Sequence, residues 1–210
     1  MDMSMTVSPK FWDKIADRYA KRPIADASAY EKKLEMSRRY FRPHMEVLEF
    51  GCGTGGTALL HAPFVGHIRA VDVSPRMIEI ANANKAASGE DLNVTFEAGS
   101  IESLTIPDGA LDAVLGLSIL HLVEDLPLVL KKVHAMLKPG GVFISSTTCL
   151  GDHLKVFKYV EPIGRMLGLM PMVKVFTMDH LISALKDAGF TIEERWQPGK
   201  NKALFLVARR

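Results

Sequence analysis

The glycine-rich stretch VLEFGCGTGG, Val47–Gly56, is the feature that most constrains how this chain can fold. An apolar strand that runs into a glycine loop and then into a helix directs backbone N–H groups at a ligand, where a phosphate or carboxylate is favoured. The stretch contains G-x-G-x-x-G, typical of dinucleotide sites, and also E-x-G-x-G-x-G, which begins at Glu49 and suits a different adenosine cofactor. The glycines alone leave both cofactors open.

Two carboxylates bear on this choice. Glu49 precedes the first glycine by two residues, so we expect its side chain near the loop, where it would repel a pyrophosphate but suit a ligand with an ammonium and a sulfonium. Asp72 ends the next apolar run, 21 residues after Gly51 (72 − 51), and can accept hydrogen bonds from both ribose hydroxyls of an adenosine. The competing interpretations are a solvated strand residue for Glu49 and a turn or helix-capping acid for Asp72.

Short apolar runs alternate with helical patterns along most of the chain. This order predicts βαβ units and a doubly wound α/β fold, with helices on both faces of a mostly parallel sheet. The runs FTIEERW and KALFLVARR flank the turn QPGKN and predict a C-terminal antiparallel hairpin. Residues 1–44 predict a helical N-terminal cap with a break near Pro23, and a length of 210 residues suits a single domain.

Composition excludes several classes of partner. Charged residues make up 24% of the chain and the formal net charge is +2, so no broad electrostatic field favours nucleic acid. The chain has no signal-peptide pattern and no run of about 18 apolar residues, which predicts a cytoplasmic protein. Its two cysteines, Cys52 and Cys149, form neither a disulfide framework nor a metal quartet, and we expect no metal site.

From roughly Phe11 to the C-terminus, the chain resembles the class I S-adenosylmethionine-dependent methyltransferases. VLEFGCGTGGTALL is similar to the family's glycine loop, AVDVSPRMIEIA to its ribose-binding motif and EAGSIESL to its adenine-binding motif. LDAVLGLSILHLVED and LKPGGVFIS are similar to its fourth- and fifth-strand blocks, and FWDKIADRYAK to the helix that covers the cofactor in many members. The resemblance implies a Rossmann-like fold with a seven-stranded sheet, S-adenosyl-L-methionine as cofactor and S-adenosyl-L-homocysteine as product.

The resemblance also implies where each part of the cofactor lies. The methionine half is expected beside the glycine loop, the ribose against the acidic residue that ends the second strand, and the adenine between the segments after the second and third strands. Backbone carbonyls at the end of the fourth strand are expected to accept from the ammonium, and the N-terminal helix to close over the site. The residues implied are Trp12, Tyr19, Glu49, Gly51, Cys52, Gly53, Gly55, Asp72, Val73, Met77, Ser100, Ile101, Glu102, Gly116 and Leu117.

One position departs from the family pattern. Where Ser100 stands, the family often has Asp, which accepts a hydrogen bond from the adenine amino group. A hydroxyl accepts more weakly than a carboxylate does. The departure therefore leaves two alternatives, which are looser cofactor binding or compensation by Glu102.

Methyl transfer from a sulfonium is an in-line displacement, so the protein must chiefly align two atoms and exclude water. A hydroxyl acceptor also needs a base of near-neutral pKa. His121 lies at the end of the fourth predicted strand, where such sheets bind ligands, and is the catalytic candidate. The competing interpretation of His121 is a structural residue at a strand-to-helix turn.

Residues 150–176 interrupt the regular alternation with an apolar, Met-rich segment that carries several Lys and Arg. An insertion after the fifth strand would overhang the ligand crevice, so we expect a substrate lid with an adaptable apolar wall, and an acceptor that is partly apolar. The basic residues suit an anionic head group or a membrane surface, but also a solvated face. The alternative is a helix that packs its apolar stripe on the core.

The sequence therefore predicts a methyltransferase that acts on oxygen, nitrogen or carbon of a small, partly apolar metabolite. A lipid or quinone methyltransferase with transient contact to the membrane surface is the alternative. Two further classes are an NAD-dependent oxidoreductase, which lacks support from a Tyr-x-x-x-Lys set, and a non-catalytic regulator that binds the cofactor. Nucleic-acid N-methylation is disfavoured because GLSILH stands where an N-P-P-Y type motif would follow the fourth strand.

Overall fold

The structure is a computed structural model that describes residues 9–152 and 173–210. Within them, the strands in chain order are β1 Glu46–Phe50, β2 His67–Asp72, β3 Val94–Ala98, β4 Leu111–Leu117, β5 Leu137–Thr147, β6 Thr191–Trp196 and β7 Leu204–Arg209. The helices are α1 Pro9–Ala20, α2 Ala27–Arg38, α3 Gly56–His61, α4 Pro75–Ser88, α5 Leu126–Met136 and α6 Met178–Asp187.

The seven strands form one sheet in the spatial order β3-β2-β1-β4-β5-β7-β6. The pairs among β1 to β5 are parallel, and β7 pairs antiparallel with both β5 and β6. The predicted mostly parallel, seven-stranded sheet with a C-terminal antiparallel hairpin is confirmed. The strand order reverses between β1 and β4, and ligands of such sheets bind outside the carboxyl ends of the strands at this point.

Each face of the sheet carries its own apolar layer, as a doubly wound fold requires. On one face, residues such as Leu48 and Phe143 pack against the apolar sides of α5 and α6. On the other face, Val47 and Leu115 pack with residues of α2, α3 and α4. Because successive strand residues point to opposite faces, Val47 and Leu48 belong to different layers.

Local sequence accounts for the turns that frame the crevice. α4 begins as DVSPRM suggests, since the Ser74 hydroxyl accepts from the backbone N–H of Met77 and Pro75 is the first helical residue. The break near Pro23 separates α1 from α2. The apolar run LDAVLGLSIL continues to Leu120, but β4 ends at Leu117 because Ser118 has a φ of 58°, which no strand residue adopts.

The expected lid at 150–176 lies largely outside the described residues. Only its two ends are described, and the first of them is a short 3₁₀ turn at Leu150–Asp152. Across 9–152 and 173–210, the longest helices are too short and too polar to cross a lipid bilayer.

Candidate functional site

Two clefts open at the carboxyl end of the sheet. The first cleft lies between the glycine loop, α1 and the segments that follow β2, β3 and β4. The second, wider cleft lies on the α2 side of the same loop and reaches the turn between β6 and β7. The residues that line both are Tyr19, Gly51, Gly53, Leu117 and Ser118.

Most of the cofactor-binding residues that the family resemblance implied line these clefts. Those in the first cleft are Trp12, Tyr19, Gly51, Gly53, Asp72, Val73, Met77, Ser100, Ile101, Glu102 and Leu117. Glu49 and Cys52 line the second cleft instead. Gly55 and Gly116 line neither.

Gly55 and Gly116 serve packing. A Cβ on Gly55 would stand 2.6 Å from the Phe96 ring, and a Cβ on Gly116 would stand 2.8 Å from the Phe50 ring. Either distance is far below ordinary van der Waals contact, so a side chain at these positions would displace an aromatic ring of the core.

The glycine loop approaches its neighbours closely. Gly51 has a φ of +70°, and a Cβ there would lie 2.6 Å from Cγ1 of Ile119. Gly53 lies under the Tyr19 ring, whose Cε1 would be 3.7 Å from an added Cβ. Glycine at position 51 therefore satisfies both the backbone conformation and the lack of space, and Tyr19 lies beside the loop at Gly53.

Asp72 holds the loop in place. Its Oδ2 accepts a hydrogen bond of 2.8 Å from the backbone N–H of Gly53, and its Oδ1 accepts one of 3.0 Å from that of Ser74. Burial raises the pKa of Asp72, and the two backbone hydrogen bonds oppose that shift. Because each carboxylate oxygen has about two acceptor sites, one on each remains for a ligand hydroxyl. The side chain therefore fits the ribose role.

Glu49 lies in a different setting. It is 2% exposed, and its Oε2 has no hydrogen-bond partner among the described residues. Burial, aided by the nearby charge of Asp72, raises the pKa of Glu49 from 4.5 to about 8. A buried carboxylate is stabilised by a cation and destabilised by a second anion. The site thus fits a ligand with an ammonium and a sulfonium, and it opposes a pyrophosphate.

The first cleft ends in an apolar region. Met77 and Ile101 are almost fully buried there, and Val73 lines the same wall. The Ser100 hydroxyl donates to that of Ser103 at 3.3 Å and accepts from the backbone N–H of Ser103 at 3.2 Å, so it already takes part in two hydrogen bonds. Apolar walls beside polar backbone suit a purine ring.

Residues that the sequence reasoning missed also line the first cleft: Phe50, Gly99, Ser118, Ile119, Leu122 and Val123. Ser118 is one of two non-glycine residues with positive φ among those described, and its N–H donates to the Ser146 carbonyl at 2.7 Å. Strained backbone of this kind often marks functional sites. A polar residue that interrupts the apolar run GLSIL is the signal that could have identified it.

Helix α1 is fastened to the start of α4 by two acidic residues. Oδ1 of Asp13 accepts from the Ser74 hydroxyl at 2.6 Å and from the N–H of Arg76 at 3.2 Å. Asp17, one turn later on α1, pairs with the Arg76 guanidinium at 2.7 Å. These contacts place Trp12 and Tyr19 over the first cleft. Sequence reasoning missed Asp13, although two acids at i, i+4 beside a helix N-terminus indicate such a contact.

His121 lies apart from both clefts as far as residues 9–152 and 173–210 define them. Its carbonyl accepts from the backbone N–H of Lys174 at 2.7 Å, and its Nδ1 is buried without a described partner. Burial lowers the pKa of His121, so the ring is neutral at physiological pH. Its role as a base stays a prediction.

Comparison with known proteins agrees with this geometry. The profile of a methyltransferase domain family matches residues 41–200. Demethylmenaquinone methyltransferase of Symbiobacterium thermophilum is 33% identical over 141 residues, which cover 64% of this chain and 56% of that protein. Malonyl-[acyl-carrier protein] O-methyltransferase of Serratia marcescens is 29% identical over 138 residues, with coverages of 64% and 52%. The chain spans about half the length of these curated relatives.

Solved structures share the fold. An S-adenosylmethionine-dependent methyltransferase from Mesorhizobium loti superposes with a TM-score of 0.70 at 21% identity, over 88% of this chain and 99% of that one. The fold combines a glycine loop after β1, a carboxyl at the end of β2 that accepts from that loop, and a reversed β7. With the profile match over residues 41–200, they show that the chain belongs to the class I S-adenosylmethionine-dependent methyltransferase family.

Proposed function

We propose that this chain binds S-adenosyl-L-methionine with its adenosine in the first cleft and its methionine end at the glycine loop, where Glu49 lines the second cleft. We propose further that it transfers the methyl group to a small, partly apolar metabolite. The observation that carries the proposal is Glu49, a carboxyl that is 2% exposed, lacks a described partner and stands beside the glycine loop. When bound, the cofactor supplies an electrophilic methyl group on a sulfonium.

Each wall of the site has a part in binding. Glu49 would pair with the ammonium, and Asp72 would accept from the ribose hydroxyls with the acceptor sites that its backbone bonds leave free. Met77 and Ile101 would flank the adenine. Tyr19, on the helical cap of residues 1–44, would exclude water from the junction of the two clefts, which favours a displacement between aligned atoms.

The acceptor atom would attack at that junction, where Leu117 and Ser118 line both clefts. For a hydroxyl acceptor, the cofactor would supply its methyl group to the acceptor oxygen there and leave as the thioether, which keeps the electron pair of the carbon–sulfur bond. The hydroxyl proton must then leave. His121 stays the candidate base from the sequence alone, since among the described residues it lines neither cleft and burial lowers its pKa.

A quinone methyltransferase is the second candidate. It is favoured by the relative from Symbiobacterium thermophilum, which is a demethylmenaquinone methyltransferase. An acceptor of that kind would require contact with the membrane surface, for which the basic, Met-rich segment within 150–176 is the candidate. In either case we place the protein in the cytoplasm, without a nucleic-acid partner.

Calorimetric titration with S-adenosyl-L-homocysteine and, separately, with NADH tests the proposal. We expect the first ligand alone to bind wild type, and Asp72→Ala to weaken it by about 10- to 100-fold because hydrogen bonds to a charged group are lost. Asp91→Ala, which changes an exposed carboxyl in a loop, is the matched control and should bind like wild type. Binding of NADH alone would contradict the proposal and indicate that the glycine loop binds a dinucleotide.

A further inference from the structure

The second cleft contains buried polar groups that cofactor binding leaves unused. His61, the last residue of α3, is 0% exposed, and neither ring nitrogen has a partner among the described residues. Its ring packs edge-on against Phe41 with 5.0 Å between centroids. Buried polar groups in native proteins nearly always have partners, so an unpaired imidazole that lines a cavity is itself an indication of a ligand.

The protonation state of His61 defines what it can recognise. Burial, aided by the charge of Arg38, lowers the pKa of His61 to about 3. The ring is therefore neutral at physiological pH and offers one donor and one acceptor, the pair that a hydroxyl group also presents. Because its imidazolium is so unfavourable, His61 suits the orientation of a hydroxyl and not the removal of its proton.

Other polar side chains line the second cleft together with His61. The Ser146 hydroxyl, from β5, is 2% exposed and also lacks a described partner. Thr57, one turn before His61 on α3, lies 3.1 Å from the Tyr30 hydroxyl of α2. These groups come from α2, α3 and β5 and line one cleft, which therefore offers several hydrogen-bonding side chains.

The second cleft also carries basic side chains. Arg22, Lys33 and Lys202 line it, and of its two acids Asp26 lies 3.8 Å from Lys202 while Glu49 is buried beside the glycine loop. Lys33 is half-buried, and within the described chain it forms no ion pair. Burial lowers the pKa of Lys33, and the negative charge of Asp26 opposes this shift. An anion from outside would therefore gain a partly desolvated ammonium without displacing an existing partner.

We propose that the second cleft is the acceptor pocket, and that it binds a small carboxylate whose hydroxyl group is held by His61 and Ser146 while its carboxylate pairs with Lys33. This inference rests on the proposed function, since the methyl group would reach the acceptor through the junction at Leu117 and Ser118. His61 and Lys33 are positioning residues for the acceptor. Apolar residues such as Ile24 at the mouth would cover the rest of the molecule.

Three related probes separate the parts of the proposal: 4-hydroxyphenylacetate, phenylacetate, which lacks the hydroxyl, and 4-ethylphenol, which lacks the carboxylate. Each is titrated into protein saturated with S-adenosyl-L-homocysteine. We expect 4-hydroxyphenylacetate to bind wild type at least about tenfold more tightly than either analogue. Lys33→Met should abolish the preference over 4-ethylphenol alone, and His61→Leu the preference over phenylacetate alone.

Controls distinguish a recognition role from a structural one. Lys32→Met, on the same helix but paired with Glu35, should leave all three affinities unchanged. His61→Leu removes a buried polar group without a described partner, so we expect its Tm to rise, whereas loss of a structural histidine would lower it. Neither Lys33→Met nor His61→Leu should change the affinity for S-adenosyl-L-homocysteine.

The outcomes against the proposal are distinct. Equal affinities of the three probes, no binding of any of them, or variants that weaken S-adenosyl-L-homocysteine as much as the probes would overturn the acceptor pocket. If S-adenosyl-L-homocysteine does not bind, the proposed function fails. If the ligand-free protein then still prefers 4-hydroxyphenylacetate to the two analogues, the second cleft binds hydroxylated carboxylates but is not the acceptor pocket of a methyltransferase.

Discussion

Glu49 and Asp72 are two buried carboxyls at the ends of neighbouring strands, and they differ in their hydrogen bonds. Asp72 accepts from two backbone N–H groups, whereas Oε2 of Glu49 has no partner within the described residues. Burial raises the pKa of both, and that of Glu49 to about 8. Of the two, Glu49 gains most from a bound cation, because a charge without a partner is the more costly to bury.

Glu49→Gln is expected to stabilise the ligand-free protein in alkaline solution. Folding raises the pKa of Glu49 from 4.5 to about 8. The contribution of this carboxyl to the free energy of unfolding is therefore greatest below pH 4.5 and falls as the pH rises to 8. The amide carries no charge, so at pH 8 we expect its free energy of unfolding to exceed that of wild type by about 1–3 kcal/mol. Urea unfolding at pH 5 and pH 8 measures this difference, which should shrink at pH 5. A variant less stable than wild type at both values would contradict the expectation.

Gly51→Ala and Gly109→Ala form a matched pair. Both glycines have positive φ, +70° and +66°, but only the Cβ added at Gly51 meets a neighbour, Ile119, at 2.6 Å. Backbone strain alone should cost Gly109→Ala about 1 kcal/mol. Crowding should cost Gly51→Ala about 1–3 kcal/mol more. Urea denaturation compares them, and equal losses would refute the close approach of Ile119.

The sequence was sufficient to identify the site residues that lie at the ends of strands. Glu49 and Asp72 follow from where two apolar runs stop, because parallel strands bring such ends to one edge. The sequence did not identify Ser118, since its φ of 58° is a property of the folded loop and not of serine. It did not identify His61 either, because its lack of described partners depends on which side chains surround it.

At the scale of elements, α1 is held over the first cleft by contacts with α4. Asp13 and Asp17 both lie on the side of α1 that meets the start of α4. The Asp17 pair is largely exposed and contributes little. The Asp13 contact stabilises more, because its partner Ser74 is 0% exposed and also caps α4.

Asp13→Ala should therefore loosen the covering helix. We expect the affinity for S-adenosyl-L-homocysteine to fall about 3- to 10-fold, since ordering of α1 would then be part of the cost of binding. The intrinsic fluorescence of Trp12 should shift to the red as its ring gains contact with water. Lys14→Ala, an exposed change on the same helix, is the control. Unchanged affinity and emission for Asp13→Ala would show that α1 does not cover the cofactor.

The types of the elements were predictable, but some of their ends were not. Alternating apolar runs identified every strand of the sheet, because the periods of strands and helices differ. The end of β4 was misplaced, since apolar residues continue beyond Leu117 into the wall of the first cleft. In sequence, Gly55 matches the glycine loop of the family and Gly116 matches its fourth-strand block, but their places against Phe96 and Phe50 depend on tertiary packing.

At the scale of the whole molecule, the second cleft joins parts of the chain that are far apart in sequence. α2, the glycine loop, β5 and the β6–β7 turn meet only because β7 inserts between β5 and β6. No local pattern places Lys202 beside Asp26. The fold class was therefore predictable from the sequence, whereas the pocket that this topology creates was not.

Cofactor binding should stabilise the entire fold. A ligand that binds only the native state adds about 2.7 kcal/mol at a concentration of 100 times its Kd. For a chain of this length, that corresponds to a rise in Tm of about 5–10 °C. Thermal unfolding followed by circular dichroism with S-adenosyl-L-homocysteine, and with NADH as the comparison, measures the shift. An equal shift with both ligands would contradict a selective site.

The release of protons on cofactor binding tests the role of Glu49 most directly. Calorimetry of S-adenosyl-L-methionine binding at pH 7 in two buffers of different ionisation enthalpy counts the protons released. Because the pKa of Glu49 is about 8 in the ligand-free protein, its carboxyl is mostly protonated at pH 7 and must ionise to pair with the ammonium. We predict that wild type releases close to one proton and that Glu49→Gln releases none. Binding without proton release in wild type, or equal release in both proteins, would show that Glu49 is not the partner of the cofactor's charge.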